Sequence, residues 1–188
     1  MELVSEAIAF AVKAHDGMRR KKSEAPYILH PMEAAVIVGS MTDDQELIAA
    51  AALHDVVEDA GVTIEEIGER FGRRVRELVG SETEDKRADL PPEDTWRIRK
   101  EESLAVLAAT DDLGVLTVWL GDKLANMRSI YRDFKAEGVA MWQRFNQKDV
   151  GEQAWYYRSI VALTERLSGT SAWLEYKTLT ELVFGKEA

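Results

Sequence analysis

Apolar residues recur every three or four positions along most of this chain, the pattern of helices that bury one face. Residues 2–15 put Leu3, Ala7, Ile8, Ala11 and Val12 on one stripe and predict a first helix that ends near Gly17. In PYILHPMEAAVIV, His30 directly precedes Pro31. Proline suits the first turn of a helix, so His30 is expected at a helix start. Residues 43–59 predict a central helix with Thr42 or Asp43 as its cap. Its segment LIAAAALHDVVED runs from seven apolar residues, four of them alanine, into His54, Asp55, Glu58 and Asp59. Thr63 and Glu66 have the spacing of a capping box. Beyond them Ile64, Ile67, Phe71, Val75, Leu78 and Val79 continue a helical pattern broken around Gly72. Residues 80–93 lack apolar periodicity, contain two prolines and predict a mobile loop. Asp94 or Thr95 then caps a helix to Leu107 that carries Arg97, Arg99 and Lys100. Asp111 or Asp112 caps the next, built on Val115, Leu116, Val118, Trp119 and Leu120. Two tail helices, 151–167 and 171–184, present Trp155, Tyr156, Ile160, Leu163 and Leu167, and then Trp173, Leu174, Leu179 and Leu182, as core. VLTVW resembles a short strand but lies inside a longer helical pattern, and the predicted class is all-α.

Composition narrows the picture. A chain of 188 residues fits one domain spanning 1–188, large enough to bury roughly 70% of its unfolded surface. With no cysteine there is neither a disulfide nor a thiolate zinc site, and His, Asp and Glu remain as metal ligands. This fits the cytoplasm. The N-terminus has no basic region followed by an apolar core, so no signal peptide is expected. No apolar run reaches the roughly 18 to 20 residues of a membrane span. A net charge of −10 disfavours non-specific nucleic-acid binding. The densest positive charge, Arg19 to Lys22, is either a solvated loop or a local patch for a small phosphorylated ligand. No repeat, glycine-rich phosphate loop or GxSxG elbow is present.

The candidate chemistry sits at the end of the alanine run. On one continuous helix His54 would lie beneath Glu58 and Asp55 beneath Asp59, so four titratable groups would share a patch that begins in a buried environment. Unpaired charge there costs several kcal/mol or more, and a divalent cation is the simplest way to offset it. Further along, Asp122, Asn126 and Ser129 form a polar stripe at i, i+4 and i+7 on an otherwise apolar helix. His30, His54, Asp55 and Asp122 make an all-N/O donor set with open positions, suited to Mn²⁺ or to Fe²⁺, Mg²⁺ or Zn²⁺. A structural network of the same side chains is the alternative.

The words AVKAHDGMRRKKSEAPYILHP, AALHDVVEDAGVTIEEIGERFGRRVRELV and LGDKLANMRSI, covering about residues 6–130, resemble the HD-domain phosphohydrolases. Within that group the chain is similar to the stand-alone small alarmone hydrolases related to the hydrolase half of RelA/SpoT-type enzymes. The resemblance implies a compact single-domain helical HD-domain fold with a metal, usually manganese, held by His30, His54, Asp55 and Asp122. It implies that Glu58 and Asp59 position or deprotonate the attacking water, and that Lys21 and Lys22 form a basic loop beside the nucleotide. Tyr27, Asn126 and Ser129 match positions near the sugar and phosphates. The implied reaction removes the 3′-pyrophosphate of ppGpp or pppGpp. Adenosine alarmones, the 2′-phosphate of NADPH and a non-catalytic nucleotide-sensing module are the alternatives, and the tail helices leave a homodimer open. The chain departs from the pattern at Glu24 and Ala25 (commonly Gly-Glu), Gly121 (usually alanine), Ala125 (often histidine) and the acidic SETEDKRADLPP (usually a Thr-Lys stretch). None of these removes a proposed ligand.

Overall fold

The structure, a computed structural model, describes residues 2–20, 24–87 and 89–186. Its helices are α1 (Leu3–Ala14), α2 (Leu29–Gly39), α3 (Gln45–Leu53), α4 (Val56–Asp59), α5 (Ile64–Phe71), α6 (Arg73–Glu82), α7 (Pro92–Ala109), α8 (Leu113–Glu137), α9 (Val150–Leu163) and α10 (Ser171–Phe184). Short 3₁₀ turns cover Gly138–Arg144 and Glu165–Leu167. Among the described residues there is no strand, and the extended pairing is an isolated bridge between Arg19 and Pro26. The all-α expectation holds, and VLTVW is helical.

Two central helices set the architecture. Alanines 49 to 52 are all essentially without exposure, and their small side chains let α3 pack against α1, α2, α6 and α8. Because α8 is apolar on most sides through Leu124, it in turn packs on α2, α3, α6 and α10. The buried cluster runs from Ala7 on α1 to Val183 on α10. Among the described residues no helix is long and apolar enough to cross a membrane.

The predicted central helix is interrupted. α3 stops at Leu53, and α4 begins at Val56 after a turn through His54 and Asp55. The cause is local: the Ala51 carbonyl, which in an unbroken helix would accept from the Asp55 amide, lies 2.8 Å from His54 Nδ1. Caps also differ from expectation. Asp44, rather than Thr42 or Asp43, accepts from the Glu46 amide at the start of α3. α7 starts at Pro92 without a side-chain cap, rather than at Asp94 or Thr95. Thr63 does cap α5, Asp112 does cap α8, and the pattern does break at Gly72, where φ is 93°. Val12, Leu174 and Leu182 are about half exposed; α10 buries the predicted Trp173 together with Tyr176, Thr180 and Val183.

Gly121 marks the tightest approach of α8 to α2. A Cβ there would meet Val38 Cγ2 at 2.5 Å and the Ala34 carbonyl oxygen at 3.1 Å. Alanine would gain up to about 1 kcal/mol of helix propensity, but overpacking against a fully buried β-branched side chain costs about 1 to 3 kcal/mol. Gly121→Ala is therefore expected to lower unfolding stability by about 1 to 2 kcal/mol. Urea denaturation checks this, and a Val38→Ala background should remove most of the penalty.

Candidate metal centre and active site

Two helices and one turn bring the predicted donors together. His30 stands in the first turn of α2 ahead of Pro31, as the sequence suggested. His54 and Asp55 occupy the turn between α3 and α4, and Asp122 lies mid-way along α8. His30 Nε2 is 2.9 Å from Asp122 Oδ1 and 3.5 Å from Asp55 Oδ2. His54 Nε2 is 3.1 Å from Asp55 Oδ2 and 3.4 Å from Asp122 Oδ1. For metal–ligand bonds of about 2.1 Å, adjacent ligand atoms stand about 3.0 Å apart in an octahedron and about 3.4 Å apart in a tetrahedron. The four separations, 2.9 to 3.5 Å, lie close to those values, and His30, His54 and Asp122 each offer an atom within 4.8 Å of the others.

The donor chemistry fits a divalent cation. A carbonyl oxygen can only accept, so a ring hydrogen of His54 sits on Nδ1 toward Ala51, and in the neutral ring the lone pair is on Nε2. That Nε2 is buried without a hydrogen-bond partner, although two carboxylates lie close to it. Burial alone would lower the His54 pKa, but Asp55 and Asp122 outweigh it and push it well up. Burial likewise pushes both carboxyls up, yet His54 beside Asp55, and Lys123 with His54 beside Asp122, hold both below the usual carboxylate range. Without an ion the cluster must balance its charge with protons. Two imidazoles and two carboxylates with open positions are a suitable set for one divalent ion.

Around these donors lies a second ring of contacts. Tyr27 Oη lies 2.8 Å from Asp55 Oδ2 and 2.7 Å from Asp59 Oδ2. Burial and both carboxylates push the phenol far up, so it remains a donor, and Tyr27 is committed to the carboxylates. Asn126 Nδ2 donates to Asp122 Oδ1 at 2.7 Å, while Arg20 reaches Asn126 Oδ1 at 3.4 Å. Ser129, seven residues after Asp122 and so about 10 Å along α8, is half-buried and stands apart from the cluster. Lys21 and Lys22 lie outside the described residues. Glu58 and Asp59 follow on α4, with the Asp55–Asp59 column preserved despite the helix break because the Asp59 amide still donates to the Asp55 carbonyl at 2.9 Å. Burial first, then Asp55, pushes the Glu58 carboxyl up.

Several nearby groups carry weak sequence signals. Lys123, next to Asp122 in the motif, donates to Asp122 Oδ2 and lies 3.6 Å from Glu82 Oε2. Glu82, within the segment 80–93 that lacks apolar periodicity, is the buried last residue of α6 and not part of a loop. His15 is buried against the Tyr27 ring, 5.0 Å between centroids, with neither ring nitrogen hydrogen-bonded. Lys86, from the segment expected to be a mobile loop, binds Asp59 and the Glu58 carbonyl.

Residues 7–149 match the family model described as the HD domain, and the chain belongs to that family. Over 141 residues it is 36% identical to guanosine-3′,5′-bis(diphosphate) 3′-pyrophosphohydrolase of Aquifex aeolicus (strain VF5), an alignment covering 74% of this chain and 20% of that one. It is 38% identical over 137 residues to the Arabidopsis thaliana protein named putative GTP diphosphokinase RSH1, chloroplastic, covering 69% and 15%. The chain thus spans about a fifth or less of the length of the curated relatives it matches. Among solved structures, lmo0812 from Listeria monocytogenes EGD-e superposes with a TM-score of 0.73 at 29% identity, covering 84% of this chain and 99% of that one. A metazoan SpoT ortholog, described as hydrolysing ppGpp and playing a role in starvation responses, gives a TM-score of 0.77 at 24% identity over 99% and 98%, a likeness of fold.

Glu82 gives a pH signature. Burial pushes its carboxyl from an ordinary 4.5 up to about 8, against the pull of Lys123. The folded chain therefore holds a proton there that the unfolded chain releases, so this group makes stability fall as pH rises from about 4.5 to about 8. Glu82→Gln should remove that slope, so its stability relative to wild type is expected to be higher at about pH 8.5 than at about pH 4.5. Urea midpoints at both pH values check it.

Proposed function

We propose that this chain is a metal-dependent hydrolase of guanosine 3′,5′-bis(diphosphate)-type alarmones that removes the 3′-pyrophosphate, and that Mn²⁺ is its ion. The observation that carries this reading is the meeting of His30, His54, Asp55 and Asp122 with Glu58 and Asp59 alongside. The names of the relatives over the same segment support the substrate class. A divalent ion at this site supplies a Lewis acid for a phosphoryl oxygen and acidifies water.

The protein's own residues account for the rest. Glu58, with a carboxyl raised by burial, accepts a proton from the attacking water. The water oxygen bonds to the phosphorus attached to the 3′-oxygen, the P–O3′ bond breaks, the 3′-oxygen takes a proton from solvent, and Glu58 returns the water's proton to solvent. The products are GDP or GTP and pyrophosphate. Asn126 orients Asp122, and Tyr27 ties Asp55 to Asp59. Lys21, Lys22 and Arg20 supply positive charge for the phosphates, with Ser129 further along the α8 face. In the acidic segment after α6, Glu84 is neutralised by Arg99 at 3.0 Å and Lys100 at 2.6 Å, which reduces its repulsion of such a ligand.

With Mn²⁺, the purified protein is expected to convert ppGpp to GDP and pyrophosphate. Chelation should abolish turnover and Mn²⁺ should restore it. Glu58→Ala should lower kcat by about 10² to 10⁴-fold. Parallel assays with an adenosine alarmone and with NADPH, read by product identity, decide the substrate. Tight binding without product would instead indicate a sensing module, and neither binding nor turnover would overturn the reading.

A further inference from the structure

The pair Glu58 and Asp59 is chemically equivalent in sequence but not in surroundings. Both oxygens of Asp59 are engaged. Oδ2 accepts from Tyr27 at 2.7 Å, and Oδ1 accepts from the Lys86 ammonium. Glu58 is held more loosely. Its Oε1 lies 3.5 Å from Lys86 Nζ, and its Oε2 lies 3.5 Å from the Glu84 amide. Lys86 also donates to the Glu58 backbone carbonyl at 3.0 Å, so one ammonium fixes the last turn of the four-residue helix α4.

The segment that presents Lys86 is itself built. On one side of it Glu84 is clamped to α7 by Lys100 and Arg99. On the other, Arg87 donates to Glu102 of α7 at 2.6 Å. Arg87 adopts a left-handed backbone, φ 47°, with its amide bonded to Asp85 Oδ1 at 2.9 Å. A non-glycine residue takes that conformation at a cost, and here it aims Lys86 at α4 between two anchors.

Resting on the hydrolase reading above, we propose that Lys86 is a positioning residue that divides the labour of the acidic pair. Through Lys86 and Tyr27, Asp59 becomes a fixed strut, and Glu58 is left as the proton acceptor for the attacking water. The ammonium acts through geometry, by fixing the Glu58 carbonyl, and through charge, by favouring the carboxylate form of Glu58.

The charged and titratable groups around Glu58 are Asp55, Lys86, Glu84 and Asp59, with Lys100 of α7 behind Glu84, and Lys86 is the cation that most opposes the upward push on its carboxyl. Lys86→Met is therefore expected to lower kcat by about 10 to 100-fold with KM changed by less than about threefold, and Lys86→Arg should restore most of the loss. In Lys86→Met the acid limb of the kcat–pH profile should move to higher pH. The Glu58 side-chain carboxyl, followed by carbon NMR on magnesium-loaded protein, should titrate higher by the same amount. Thermal unfolding verifies that the variant is folded. A folded Lys86→Met whose Glu58 titration and acid limb stay in place overturns the proposal, whether or not its rate falls. If the wild type turns over no substrate, the hydrolase reading fails, and the carboxyl titration still decides for or against Lys86.

Discussion

Four His–Asp contacts of 2.9 to 3.5 Å, joining two histidines and two aspartates inside a helical core, are the constraint on which the rest of this structure depends. Two like unit charges about 4 Å apart repel by about 4 kcal/mol even at an effective dielectric constant of 20, and burial adds a desolvation cost. Protonated histidine can balance the carboxylates in the absence of an ion, as the upward push on His54 indicates. A divalent cation balances the same charge while leaving both imidazoles neutral, and it uses the otherwise unpartnered Nε2 of His54.

The scaffold follows from the need to hold these groups rigidly. The alanine run of α3 brings α1, α2, α6 and α8 close enough for His30, His54 and Asp122 to meet. The side chain of His54 takes the carbonyl that would have continued the helix, so the bond that orients the ring also turns the backbone and directs Asp55 inward. Gly121, one residue before Asp122, lets α8 settle against Val38 and Ala34 of α2. Lys123 and Asn126 each hold an oxygen of Asp122, fixing its carboxylate plane. Partners of this kind tune the ligands they hold.

Much of this was legible in the amino-acid order. Helical periodicity identified the all-α class and the break at Gly72, and the motif residues His30, His54, Asp55 and Asp122 converge as their types and spacing suggested. What was not legible depended on contacts between distant segments. The interruption at His54 arises from one side-chain bond to a carbonyl, which periodicity does not encode. The burial of Glu82 depends on how α6 meets α8, and the part played by Lys86 depends on anchors fifteen residues further along the chain, in a segment with no pattern of its own. In α10 the predicted Trp173 is buried and Leu179 packs on the core, but Tyr176 is buried where Leu174 and Leu182 are about half exposed. Tyr27, which the resemblance places near the sugar and phosphates, bridges Asp55 and Asp59, a contact between residues 28 and 32 apart in the chain that no local pattern encodes.

Anomalous diffraction at the manganese edge, from crystals grown with the ion, tests the shared cation most directly. One strong peak is expected about 2.0 to 2.3 Å from His30 Nε2, His54 Nε2, Asp55 Oδ2 and Asp122 Oδ1 together. A well-ordered site without a peak, or a peak bound by other residues, would contradict it.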